Sequence, residues 1–462
     1  MTGRAPLPAG SPSATLIRRL GPLDGAAIVV SNVIGGGIFF VPIIVAGLVP
    51  SPWMMLAVWA GGGLLAFAGA MAYAELAAVR PRAGGEYVYL REAFGQSAAF
   101  LTGWTSFVAG FSGAIAAGSV ALTDYVGRFV PVAADRTPLF TLPIPLAPLQ
   151  VTPQAIVAIS AIGALSLVHL HASGRFVHNA LAGLKVSALV VFIALGLALG
   201  LGSFGHLAVT QEVAAPATGW IVALVPIMFT YSGWNAAAYV AEEMRDPGRN
   251  VPRALALGTV AVVAIYLALN LLFLYAMPIG ELAALSGGRL TDMVAERLFG
   301  FVAGNVLAAF TIVSIAASIS AMVWAGPRVY FAMARDGVFL RAAGRVHPRF
   351  HTPTLAIGAQ AVWASILVLS GTLSQLVAYT GFAVVLFAGV AVAALFVLRR
   401  REPHAERPYS ALGYPVAPAL FVAASALMVT WEIWTNPQTS LAGLAVIAAG
   451  FPIYWYFARR LS

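Results

Sequence analysis

Apolar runs of about 20 residues recur along this chain from Gly21 to Ala458, each long enough to cross a hydrocarbon layer of roughly 30 Å as a helix. No other feature of the sequence restricts the fold as strongly. The composition agrees, since 60% of the 462 residues are hydrophobic and 9% are charged, a mix that a water-soluble core has no use for. The membrane is therefore the solvent. The runs delimit twelve spans, at 22–48, 52–79, 97–129, 152–170, 176–202, 216–241, 254–278, 299–332, 354–371, 374–398, 415–435 and 440–458. An all-α integral membrane protein with both termini on one side is expected. Residues 1–17 lack the apolar core and small-residue cleavage site of a signal peptide and read as a short cytosolic tail.

The formal charge of +9 does not point to nucleic acid, because the basic residues sit in short loops between spans. Their distribution sets orientation instead. Twenty-one arginines fall on the side of the termini, only Arg128, Arg136, Arg289 and Arg297 fall opposite, and Lys185 completes the 26 basic residues. The excess of positive charge on the cytoplasmic side of membrane proteins predicts cytoplasmic termini. There is no cysteine, which removes disulfides, thiolate metal sites and a cysteine nucleophile from consideration. Two connections carry helical patterns of their own. Residues 84–95 (GGEYVYLREAFG) read as an amphipathic surface helix with Tyr87, Tyr89, Leu90 and Phe94 as interfacial anchors, and residues 282–297 as a short helical lid.

Two spans are interrupted. The first contains Ser31, Asn32, Val33, Ile34, Gly35, Gly36, Gly37, Ile38 and Phe39, and each of its three consecutive glycines costs a helix about 1 kcal/mol relative to alanine. Helix contact through glycine favours a spacing of four, so a contiguous triplet points to unwound backbone, which membrane depth tolerates only at a cavity or within protein. The sixth span contains Pro226, Phe229, Thr230, Tyr231, Ser232, Gly233, Trp234 and Asn235, polar groups and a glycine after a proline that removes a backbone hydrogen bond. Breaks in the first helix of each five-helix half are the pattern of a transporter with inverted repeats and a midplane site. The amides after Gly35–Gly37 suit a carboxylate, and carbonyls near Val33 and from Phe229 to Ser232 suit an ammonium. An α-amino acid carries both groups. Two kinks without a ligand are the alternative.

At these residues the chain resembles the amino acid, polyamine and organocation transporter superfamily, and within it the L-type amino acid transporters and their bacterial relatives. The matching stretches are GGGIF at 35–39, AYAEL at 72–76, GGEYVY at 84–89, FTYSGWN at 229–235 with EEMRDPGRNVPR at 242–253, and RPYSALGYP at 407–415. The resemblance implies a LeuT-like fold, with helices 1 and 6 broken. A ten-helix core of five plus five inverted repeats would occupy 18–402 and two peripheral helices 403–462. It assigns the substrate carboxylate to Ile34, Gly35, Gly36 and Gly37, the gate to Phe229, and the amine to backbone near Val33, Phe229 and Ser232. Gly233, Trp234 and Asn235 complete the expected site. Many relatives have Ser in the middle of the triplet, and Gly36 lacks that hydroxyl. The implied location is a bacterial inner membrane, with no cofactor and no obligatory partner subunit.

Lys185 is the only lysine and lies within the fifth span, where charge is expensive and ionisable groups are functional candidates. The bland alternative is a lysine that snorkels to the interface. By the resemblance, Lys185 occupies the place where sodium-coupled relatives bind an ion between spans one, five and eight. It would then tie the first break to the fifth span and make transport independent of sodium, or carry a coupled proton. Ser314 and Ser318 on span eight share a face that lines the path or packs on helix one.

The expected function is a sodium-independent permease or exchanger of neutral, small-to-medium L-amino acids, with proton symport or a polyamine antiporter as alternatives. A cationic substrate would want a midplane carboxylate, and none is expected near the breaks, since Asp124 and Glu432 lie elsewhere. An enzyme would need clustered polar side chains at one depth, and His169, His171 and His178 fall on a turn, where an interfacial role is expected. Glu75, Glu242, Glu243 and Asp246 lie beside Arg80, Arg82, Arg245 and Arg249 as surface pairs of an inward gate or as solvated ends.

Overall fold

A computed structural model describes residues 16–49, 51–143, 148–171, 174–208, 218–285, 290–370 and 373–459. The helices run in the order α1 (Pro22–Val33), α2 (Val41–Leu48), α3 (Pro52–Val79), α4 (Glu86–Phe94), α5 (Gln96–Thr105) and α6 (Phe111–Val126). There follow α7 (Pro153–Leu170), α8 (Gly174–Leu199), α9 (Gly219–Tyr231), α10 (Ala236–Tyr239), α11 (Pro247–Ala276), α12 (Ile279–Ala284) and α13 (Leu290–Phe299). The chain ends with α14 (Phe301–Arg335), α15 (Thr354–Leu369), α16 (Leu373–Arg401), α17 (Val416–Thr435), α18 (Pro437–Ala448) and α19 (Gly450–Ala458). Among the described residues, nine helical stretches are long and apolar enough to cross a membrane, counting α5 with α6 and α18 with α19 as one each. The fold is thus that of a helical membrane protein.

Local chemistry sets the helix starts. Proline occupies the first turn of α1, α3, α7 and α11, where its missing N–H has no helical partner to lose. Ser51 and Thr152 cap α3 and α7 by accepting from the amides of Met54 at 3.2 Å and Ala155 at 3.0 Å. Between α5 and α6 the helix widens into a π turn, Ser106–Gly110. The backbone there is held from outside, as Tyr330 donates to the Ser106 carbonyl at 3.1 Å and Trp363 to that of Val108 at 3.0 Å.

α1 lies at the centre, against α8, α11 and α14, while α11 also packs along α3 and α14 along α6. Ion pairs sort into two sets at opposite ends of the bundle. At the arginine-rich end, Arg399 and Arg407 hold Glu75, Arg328 holds Glu243 at 2.7 Å, Arg335 holds Glu242 at 2.9 Å, and Arg80 joins Glu92 to Glu402. At the other end Arg128 meets Asp292 and Glu296, both at 3.1 Å, and Arg297 meets Glu281. Glu75, Glu242 and Glu243 therefore pair across distant segments and not with the arginines beside them in sequence.

Three expectations change. A short antiparallel hairpin, β1 (Phe140–Leu142) on β2 (Leu149–Val151), interrupts the all-α pattern with Thr141 opposite Gln150. α4 is not a surface helix anchored by four apolar side chains: Tyr87, Tyr89 and Leu90 are buried in the protein and only Phe94 is exposed. Tyr89 packs edge-on against Tyr73 with ring centres 5.6 Å apart, and Tyr87 donates to Asp336 at 2.8 Å. His169 and His178 are likewise buried, both on Ser320 Oγ at 2.7 and 3.2 Å, and only His171 is exposed. They are interior polar groups that join α7 and α8 to α14. Most of the N-terminal tail, residues 1–15, lies outside the described residues, as do 286–289 of the expected lid.

Candidate functional site

α1 stops at Val33 because the glycines that follow contribute no helix-favouring side chain. Ile34 leaves helical geometry at ψ 80°, Gly37–Phe39 makes one 3-10 turn, and α2 begins at Val41. The amides of Gly36 and Gly37 have no hydrogen-bond partner among the described residues. Gly36 is exposed, and a Cβ there would meet nothing within 4 Å. A Cβ on Gly37 would come within 3.0 Å of Thr230 Oγ1, so the first break faces the sixth span directly. Two adjacent N–H groups without a partner among the described residues, the first of them beside open space, are the kind of donors that an anionic oxygen takes.

The second break follows Tyr231. Ser232 turns the chain out of helical geometry at ψ 144°, and Gly233 adopts φ +102°, a conformation that L side chains rarely take. A Cβ at Gly233 would also lie 2.5 Å from Asn32 Nδ2, which donates to the Gly233 carbonyl at 3.4 Å. The two interrupted segments thus touch. Tyr266 on α11 joins them further, its hydroxyl lying 2.9 Å from the Val33 carbonyl and 3.2 Å from that of Thr230.

Lys185, on α8, is fully buried. Its Nζ donates to the carbonyl of Ser31 at 3.2 Å, to the carbonyl of Ile34, and to Ser318 Oγ at 2.8 Å. An ammonium has three donors, and these three oxygens match them one for one. Ser318 in turn donates a hydrogen bond to the Ile34 carbonyl at 2.8 Å. The amine therefore sits where α1, α8 and α14 meet, at the start of the first break, and does not snorkel.

The remaining expected site residues divide. Phe229 is half-buried beside the break, its ring 3.2 Å from where a Cβ on Gly381 of α16 would stand. Its carbonyl already accepts the Ser232 amide at 3.0 Å. The Val33 carbonyl accepts both Gly35 N–H at 2.7 Å and Tyr266, so it is the least available of the amine acceptors named from sequence. The Ser232 carbonyl accepts no hydrogen bond among the described residues. Trp234 points away: its indole packs edge-on against Tyr73 at 4.9 Å and Phe421 at 5.4 Å, between α3 and α17. Among the described residues, Ser314 bonds nothing on α1 and its buried hydroxyl has no partner.

Asn235 leads to a group that the sequence did not mark. Its Nδ2 lies 3.4 Å from Glu86 and 3.1 Å from Tyr239 Oη, and Tyr73 donates to Glu86 at 2.7 Å. A carboxyl does, then, approach the end of the second break. Burial pushes its pKa up, opposed by the hydrogen bonds from Tyr73 and Tyr239. Tyr266 was not singled out from the sequence and Asn32 only as part of the first break, their one signal being polar atoms in largely apolar helices.

Residues 20–457 match the family model described as amino acid permease. The chain is 29% identical over 449 residues to the serine/threonine exchanger SteT of Bacillus subtilis, covering 96% of this chain and 98% of that one. It is 28% identical over 457 residues to the human large neutral amino acids transporter small subunit 2, covering 96% and 81%. Human b(0,+)-type amino acid transporter 1 is 29% identical over 449 residues, covering 96% and 89%.

Proposed function

On the premise that this chain belongs to the amino acid permease family, a family of transport proteins and not of enzymes, we propose that it is a sodium-independent exchanger of neutral L-amino acids. The observation that carries the reading is the pair of unpartnered amides at Gly36 and Gly37 beside open space, opposite Thr230 and the second break. They take the substrate carboxylate. The free carbonyl of Ser232 takes the amine, and Phe229 closes over the side chain. The exchangers and neutral-amino-acid transporters among its relatives support the substrate class, and the close approach of Gly37 to Thr230, which leaves little room beside the first break, favours small to medium side chains.

Lys185 supplies the cation. A sodium ion bound by backbone carbonyls and a hydroxyl would need the kind of oxygens that the ammonium already holds, so no ion is required to fix α1 at its break. We read twelve spans, the nine long stretches together with the interrupted first and sixth and the shorter α15, arranged as five plus five inverted repeats and two peripheral helices. The arginine-rich end faces the cytoplasm of a bacterial cell, with both termini there, and the chain works as a monomer.

Proteoliposomes loaded with unlabelled amino acid and given a labelled panel outside test the assignment. Uptake of serine- to leucine-sized neutral amino acids that depends on internal amino acid supports exchange. Uptake driven by a pH gradient into empty vesicles would assign proton symport, and equal uptake of amines lacking a carboxylate would overturn the role of Gly36 and Gly37.

A further inference from the structure

A groove of roughly 620 Å³ opens at the arginine-rich end, between α3, the start of α11 and the segment preceding α17. None of its lining residues belongs to either break or touches Lys185. Met71, Ala78, Ala256, Pro408 and Tyr409 give it an apolar wall. Its rim carries Arg249 and Arg253, both exposed and neither ion-paired with any described residue, and one exposed carboxylate, Asp246. Arg80, Arg91, Arg328, Arg335, Arg399 and Arg407 at the same end hold carboxylates, whereas Arg249 and Arg253, like Arg82 and Arg245, hold none among the described residues; what sets these two apart is the apolar groove that they rim.

The spacing says what would fill the groove. Arg249 and Arg253 are four residues apart and share one face of α11, which continues through Ala256 to Val260, itself 55% exposed. That face is cationic at its end and apolar beyond it. The rim, two guanidiniums against one carboxylate, carries a net charge of about +1, which balances a monoanion. A single negative charge on a long apolar tail is the chemistry of a phosphodiester lipid. We propose that this groove binds an anionic phospholipid of the leaflet at the arginine-rich end, with its phosphodiester on Arg249 and Arg253 and an acyl chain along Ala256 and Val260. The site is independent of the substrate assignment and requires only that the helices span a bilayer.

Native mass spectrometry of the full-length protein, titrated with phosphatidylglycerol or phosphatidylcholine, tests it. Wild type is expected to hold phosphatidylglycerol in preference to phosphatidylcholine, and the variant Arg249→Gln/Arg253→Gln to lose about thirtyfold in phosphatidylglycerol affinity, while Arg245→Gln, outside the groove, retains it. Equal binding of the two lipids by wild type would overturn the proposal without recourse to any variant. Unchanged binding by the double variant, or full displacement of the lipid by inorganic phosphate at equal concentration, would overturn it as well.

Discussion

At Gly36 there is room for a side chain where the chain carries none, and the neighbouring amides point to what a hydroxyl there would do. Gly36→Ser adds a donor beside the proposed carboxylate position without meeting any atom within 4 Å. One added hydrogen bond to a charged group predicts a KM lower by about fivefold, equivalent to ~1 kcal/mol, with kcat little changed. A KM that rises, measured in the same vesicles, would show that the carboxylate does not lie there. Glu86 offers a second test at this scale. Burial raises its folded-state pKa, so its contribution to stability is full at low pH and falls as pH rises through that value. Glu86→Gln, which keeps an acceptor for Tyr73 without charge, is expected to flatten the pH dependence of thermal stability above the ordinary carboxylate range. A pH profile identical to wild type would contradict an ionising Glu86.

The elements owe their limits to residues that can be read in one dimension. Three glycines in sequence end α1, and Ser232 with Gly233 ends α9, so both breaks were legible from backbone preference alone. Their contact was not. Asn32 and Gly233 lie 201 positions apart, and Tyr266 reaches Val33 across 233, separations at which a single sequence carries no pairing signal. Trp234 shows the same limit: an aromatic next to a break reads as site-lining, and which way it faces is decided by the turn at Gly233, which sets it against Tyr73 and Phe421. The buried histidines were misread for the same reason, since Ser320, which receives them, lies on α14. Gly233 is where local and long-range demands meet. Gly233→Ala imposes a strained φ and a 2.5 Å approach to Asn32, and is expected to cost about 2 kcal/mol, read as a lower thermal midpoint with weakened transport. Wild-type stability and transport in this variant would remove the argument for a glycine-specific turn.

Across the molecule, ion pairs tie together segments that are far apart in sequence. Arg328 and Glu243 are 2% and 1% exposed, so this pair is part of the interior and not a solvated contact. The family match spans residues 20–457 and so takes in both breaks, Lys185 and these ion pairs. At the centre the Lys185 amine joins α1, α8 and α14, and the proposed sodium independence holds that it does so in place of a metal cation. The measurement that tests this most directly is exchange of a labelled neutral amino acid in sodium buffer and in N-methylglucamine buffer, for wild type and for Lys185→Ala. The account predicts wild-type rates equal within about twofold in the two buffers and a Lys185→Ala rate about tenfold lower or worse in both. A wild-type protein that needs sodium, or a Lys185→Ala variant that exchanges at the wild-type rate, would contradict it.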